Sequence, residues 1–125
     1  MPIKKLPQSE FKIMKFIWKV DSKITSKDII LAMEQKYQWK QTTTLTVLSR
    51  LVVKGFLNSK KINKHTQYEI LIAEKDYLNV ETREFFRNIH DSSIKSLLLS
   101  LHADDNISEE DILFIEAWLR SIKEK

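Results

Sequence analysis

The chain has no cysteine, one glycine and two prolines in 125 residues. Without thiols there is no disulfide framework and no thiolate metal site, and a reducing cytoplasm suits such a chain. A single glycine leaves no glycine-rich phosphate loop. No apolar run approaches the roughly 18 residues of a membrane span. Lys4 and Lys5 are followed by no apolar stretch of signal-peptide length, so membrane insertion is not expected. The three histidines, His65, His90 and His102, share no metal-ligand spacing such as HExxH. His102 beside Asp104 and Asp105 is the one grouping that offers a cation several donors. The expectation is a chain without a catalytic, metal or cofactor site.

What is present is helical and unevenly charged. A 42% apolar content with so few helix breakers indicates a folded, helix-rich chain. Residues 1–72 carry 14 Lys+Arg against 5 Asp+Glu, a net +9, whereas residues 73–125 carry 7 against 12, a net −5. A basic first half attracts a polyanion and an acidic second half is repelled by one. Solvated helix faces are the alternative explanation of that asymmetry.

Apolar periodicity divides the chain further. A first helix begins near Pro7, a residue suited to a first helical turn. Phe11, Met14 and Trp18 follow at steps of three and four. Asp21-Ser22-Lys23 is a polar break, and Ile24 suits a very short strand. Thr25-Ser26-Lys27-Asp28 is a helix-start signal. The second helix is expected from about Ser26 to Tyr37, and Tyr37 to Lys40 form a turn. The third helix is expected over Gln41 to Lys54, with Thr44, Val47, Leu48 and Leu51 on one face. Gly55 stands where a left-handed C-cap is wanted. Leu57 to Ile62 and Thr66 to Ile72 read as a hairpin around the basic tip Lys60-Lys61-Ile62-Asn63-Lys64-His65.

That order is the layout of a winged helix-turn-helix, a mainly α fold with a small β-hairpin wing. The outward face of the third helix carries Thr42, Thr43, Thr46, Ser49 and Arg50. Small hydroxyls bond to base edges or phosphates, and a threonine methyl suits a thymine methyl. Thr42, Thr43, Leu45 and Thr46 lie near the helix start, the end that meets bases in helix-turn-helix proteins. Leu45 is either core or a partner for a thymine methyl. Threonine is a poor helix former, so four in five positions fit a recognition surface better than filler. Lys40, Arg50, Lys60, Lys61, Lys64 and His65 are the expected phosphate ligands.

Residues 1–73 therefore read as a DNA-binding domain and residues 74–125 as a helical arm. Tyr77, Val80, Phe85, Phe86 and Ile89 share one helix, and Asp91-Ser92-Ser93 marks a kink or new cap. Leu97, Leu98, Leu99 and Leu101 continue the apolar surface, and Asp104-Asp105-Asn106 is a loop. Ser108-Glu109-Glu110-Asp111 starts a last helix carrying Ile112, Phe114, Ile115, Trp118, Leu119 and Ile122. Two isolated helices cannot bury so much apolar surface. A second copy would, with Phe85, Phe86, Ile89, Leu97, Leu98, Leu101, Ile112, Ile115, Trp118 and Leu119 as the dimer contacts.

Glu10-Phe11-Lys12-Ile13-Met14-Lys15-Phe16-Ile17-Trp18 resembles the E-x-x-I/V-M-x-x-I/L-W signature of the BlaI/MecI/CopY penicillinase-repressor family. The segment from Trp39 through Thr42, Thr43 and Thr46 to Arg50-Leu51-Val52-Val53-Lys54-Gly55-Phe56-Leu57 resembles the family's recognition helix and its T-R-L-x-x-K-G-F/L-I/L ending. The resemblance spans nearly the whole chain. It implies a homodimeric repressor on double-stranded operators built from inverted TACA/TGTA half-sites. In the β-lactam branch, a membrane sensor protease or its downstream protease leads to a cut in the arm, which maps onto Ser100-Leu101. The family pattern there is Asn-Phe. Lys40 stands where a Ser/Thr-like cap is usual, and Leu45 where well-known members have a basic residue. The copper-responsive branch needs a C-terminal cysteine cluster that this chain lacks. Two other functions fit a winged helix: a MarR-like regulator released by a small ligand, or a protein-interaction module.

Overall fold

A computed structural model describes residues 3–20 and 22–124, so Asp21 of the expected polar break lies outside the described residues. Helix α1 spans Gln8–Val20, and the Pro7 carbonyl accepts the Phe11 N–H at 3.0 Å. Its inward stripe is Glu10, Ile13, Met14, Ile17 and Trp18. Strand β1 is Ile24–Thr25, and Thr25 caps α2 (Ser26–Tyr37). The cap is reciprocal: Thr25 Oγ1 accepts from the Asp28 N–H, and the Asp28 carboxylate accepts from the Thr25 N–H. Gln38 ends α2 in the left-handed region at φ 58°.

Helix α3 spans Gln41–Val53, and Lys54 is its C-cap rather than its last helical residue. Gly55 at φ +80° turns the chain out. The Gly55 N–H then reaches the Val52 carbonyl and the Phe56 N–H reaches the Leu51 carbonyl, both at 3.0 Å. That pair of bonds is a Schellman ending, which a left-handed residue at Gly55 makes possible. Phe56 is driven into the core, fully buried.

Strands β2 (Leu57–Ile62) and β3 (His65–Ile70) pair antiparallel, and β1 adds to β3 through Ile24↔Tyr68, giving the order β1-β3-β2. Strand β3 starts one residue earlier and ends two earlier than the sequence suggests. Ile62 pairs with His65, which leaves Asn63 and Lys64 as a two-residue turn, both at positive φ (49° and 70°). That is the turn class whose twist suits a tight hairpin. At the other end, the Leu71 N–H bonds to the Phe56 carbonyl, and the Ile72 carbonyl accepts the Trp18 indole N–H at 2.9 Å. Leu71, opposite Phe56, thus adds one more bond in the hairpin register, whereas Ile72 is held by Trp18 of α1.

The core gathers α1, α2, α3 and the sheet around Ile13, Met14, Ile17, Ile29, Met33, Leu48, Leu51 and Phe56, all fully buried. Each such side chain contributes about 1.5–3 kcal/mol over its exposed state. Helix α4 spans Glu74–His90, and Tyr77 in its first turns belongs to this core. The Tyr77 ring lies 5.6–5.7 Å from those of Phe11, Trp18 and Phe56, and its hydroxyl accepts the Leu6 N–H at 2.9 Å. The compact units run Met1–Glu81 and Thr82–Lys125.

In the second unit α4 ends at Asp91 and Ser92, both left-handed. Ser93 caps α5 (Ile94–Ala103) by accepting the Ser96 N–H at 3.0 Å. Ser108 and Asp111 form a second capping box at the start of α6 (Glu109–Lys123). The Ser108 N–H on the Asp111 carboxylate holds that acid below its ordinary pKa. Among the described residues, none in α5 or α6 is buried.

Candidate nucleic-acid interface

Helix α3 is amphipathic in the way a recognition helix must be. Its buried face is Thr44, Val47, Leu48 and Leu51; its outward face carries Thr42, Thr43 and Thr46. Thr42, Thr43, Thr46 and Arg50 are exposed and share one shallow concavity of about 330 Å³ with Val47 and with Ser9 of α1. Ser9 was not among the expected contacts. It meets α3 by helix packing across 33 or more positions of sequence, which no local periodicity reports. Its hydroxyl adds a small polar group to the rim of the reading surface.

The hydroxyls are not equivalent. Thr46 Oγ1 donates to the Thr42 carbonyl at 2.9 Å, and Ser49 Oγ to the Leu45 carbonyl at 3.0 Å. Each has spent its one proton on the helix. In this rotamer Thr46 offers lone pairs and a methyl, which suits a base amino donor or a thymine methyl. Leu45 is 37% exposed, on the outer flank of α3 rather than in the core. Thr44 points inward, fully buried, and its hydroxyl finds no partner among the described residues.

Lys40 is the N-cap of α3, in extended conformation and with no side-chain cap bond. The first N–H groups of the helix are therefore left to solvent or to a ligand, and they carry the positive end of the helix dipole. At the other end Lys54 reaches back to Glu10 of α1, whose carboxylate is 2% exposed, and bonds to it at 2.5 Å. This ion pair fixes the exit of α3 against α1.

The wing separates residues that the sequence groups together. Side chains alternate along a strand. Lys60, opposite Gln67, and His65, opposite Ile62, lie on one face of the hairpin; Lys61, opposite Thr66, lies on the other. Lys64 sits in the turn itself. All four side chains are exposed. Lys60 also stands near Glu69, whose carboxyl is held below its ordinary pKa first by the Asn58 side-chain amide at 2.6 Å and then by Lys60. Neither Lys61 nor Lys64 takes part in an ion pair among the described residues.

In the arm, the expected dimer contacts are open to solvent. Phe85, Ile89, Leu98, Leu101, Ile112, Trp118 and Leu119 are exposed, while Phe86, Leu97 and Ile115 are half-buried. Leu113, Phe114 and Ile122 extend the exposed apolar set, with Phe114 at 68%. Ser100 and Leu101 lie inside α5, exposed but helical.

Comparison with known proteins matches this geometry to one family. The description "penicillinase repressor" fits residues 6–121. A penicillinase repressor from Bacillus licheniformis is 33% identical over 113 residues, 88% of each chain. The methicillin resistance regulatory protein MecI of Staphylococcus aureus (strain N315) is 27% identical over 107 residues, 86% of each chain. The solution structure of the DNA-binding domain of the repressor BlaI has a TM-score of 0.55 at 34% identity, covering 61% of this chain and 92% of that one. The monomeric form of Bacillus licheniformis BlaI in complex with the blaP half-operator gives 0.53 at 34% identity with the same coverage. No helix is long and apolar enough to cross a membrane among the described residues.

Proposed function

Because the chain belongs to the penicillinase repressor family, we propose that it is a homodimeric transcriptional repressor of β-lactam-resistance type genes. The observation that carries this reading is the outward face of α3. Exposed Thr42, Thr43 and Thr46, with Ser9 and Arg50 around them, stand on a helix whose opposite face is locked into the core. Such a rigid small-hydroxyl surface suits the edges of bases in a major groove. Lys61, Lys64 and the open start of α3 suit flanking phosphates.

The exposed apolar residues of α5 and α6 support a second copy as the arm's partner. Two α3 helices then enter successive major grooves of an inverted TACA/TGTA-type repeat, near ~10 bp centre to centre. Bound over a promoter, the dimer excludes polymerase. Release follows from a cut at Ser100-Leu101 by a protease answering a membrane sensor. Those two residues are helical, and a protease takes extended backbone, so cleavage requires α5 to open first.

The test is mobility shift of the full chain on such an inverted repeat and on a scrambled duplex at ~150 mM salt, where non-specific binding is suppressed. Selective binding is expected. Thr43→Ala and Thr46→Ala should each weaken it by ~1–3 kcal/mol and leave scrambled DNA unaffected. Equal binding to both duplexes would reject the reading.

A further inference from the structure

A second concave surface lies on α1, away from the residues that make the reading surface. The solvent side of α1 and the end of α2 border a half-open groove of about 500 Å³, a volume within the ~300–1,000 Å³ range of small-molecule sites. Its apolar walls are the rings of Phe11, Phe16 and Tyr37, each only half-buried. Lysines surround them. Lys12 Nζ stands 4.5 Å from the centre of the Tyr37 ring and Lys36 Nζ 5.8 Å from the same ring. Lys15 is 5.6 Å from the Phe11 ring and also pairs with Glu74 at 3.1 Å. Lys19 closes the rim.

The charges do not balance. Among the described residues Glu74 is the one acid lining this cavity, and Lys15 takes it. Lys12 and Lys36 both line the groove beside the Tyr37 ring, a weak attraction at a wet site. Lys12 is half-buried, its ammonium 4.5 Å from the ring centre. An anion between Lys12 and Lys36 would gain charge-assisted hydrogen bonds from both. A flat apolar body attached to it would cover rings that are otherwise left to water.

We infer that this cavity on α1 and α2 is a binding site for a small aromatic acid, whose anionic group lies between Lys12 and Lys36 and whose ring lies on Phe11, Phe16 and Tyr37. A DNA backbone is the other anion within reach of lysines, but it has no flat apolar body to cover three rings. The site is independent of the DNA-binding reading, since it uses none of the α3 or wing residues. It touches Glu74, the first residue of α4, so a ligand acid that drew Lys15 away would loosen the tie between α1 and the start of that helix.

The experiment is a calorimetric titration of the full chain with 2-naphthoate, alongside the neutral analogue 2-naphthylmethanol, with backbone amide NMR shifts to locate binding. We expect saturable binding at one site per chain, with the largest shifts around Lys12, Lys15 and Tyr37. The neutral analogue should bind at least tenfold more weakly. Lys36→Gln changes an exposed side chain and should weaken naphthoate several-fold at an unchanged melting temperature; Lys12→Gln/Lys36→Gln should weaken it at least tenfold. Equal affinity for acid and alcohol, indifference to both variants, or no saturation by ~5 mM would overturn the proposal. So would loss of affinity for all DNA sequences in the double variant combined with no naphthoate binding, which would make the surface a phosphate contact.

Discussion

Removing Lys54 should destabilise the first unit far more than removing its partner. Glu10 is 2% exposed and Lys54 is 26% exposed. In Lys54→Met the carboxylate stays buried with its cation gone, a situation that costs about 3–5 kcal/mol. In Glu10→Gln the amide can still accept a hydrogen bond, and the lysine can swing its ammonium to solvent on a flexible stem. That loss should stay near ~1–2 kcal/mol, the range for a weakened hydrogen bond to a charged group. The double variant Glu10→Gln/Lys54→Met leaves no buried charge and should lie well above Lys54→Met alone. The difference matters because a domain has about 5–15 kcal/mol of stability in all. Urea denaturation of all three variants in a Trp39→Phe/Trp118→Phe background, which leaves Trp18 in this core as the emitter, measures the losses. Equal losses in the two single variants, or a double variant as unstable as Lys54→Met, would refute the claim that desolvation of Glu10 governs the pair.

Thr44→Val removes a buried hydroxyl without a protein partner and keeps the shape, so stability should rise by roughly 1 kcal/mol in the same assay; a fall would show that the hydroxyl is satisfied. Lys61→Ala should flatten the salt dependence of DNA binding by about one phosphate's worth, with Lys60→Ala doing less because Lys60 also faces Glu69; the reverse order would reject that division of the wing. The folded Glu69 has a lowered pKa, so its contribution to stability is full above the ordinary glutamate value and is lost as pH falls through the folded one. Asn58→Ala should return the carboxyl toward its ordinary range in an NMR titration, and an unmoved midpoint would show that the amide is not the cause.

Much of the DNA-binding unit can be read in the chain before any coordinates. Steps of three and four, the Thr25/Asp28 box and the lone Gly55 are local signals, and local signals survive folding. The errors at the hairpin are of another kind. The ladder runs out because its partner strand does: Leu71 still bonds to Phe56, the residue opposite it in register, and Ile72 is taken by the indole of Trp18, a partner distant in sequence. The same holds for Tyr77, whose helical spacing fits the arm but whose ring and hydroxyl are held by Phe11, Trp18, Phe56 and Leu6. At the interface, the threonine face is legible because one helix carries it. Ser9 is not, because it arrives from another helix. Lys60 and Lys61 look like one cluster in a linear reading, and strand alternation sends them to opposite faces.

The central claim is that two recognition helices, joined by the arms, read one operator together. The most direct test compares the full chain on an inverted repeat at native spacing with the same repeat carrying five extra base pairs between the half-sites. Five pairs turn the second half-site about half a helical turn away from the first. If the dimer reads both at once, affinity should fall by at least ~100-fold, toward that of a single half-site. Unchanged affinity would mean that each chain binds alone, and would contradict the account.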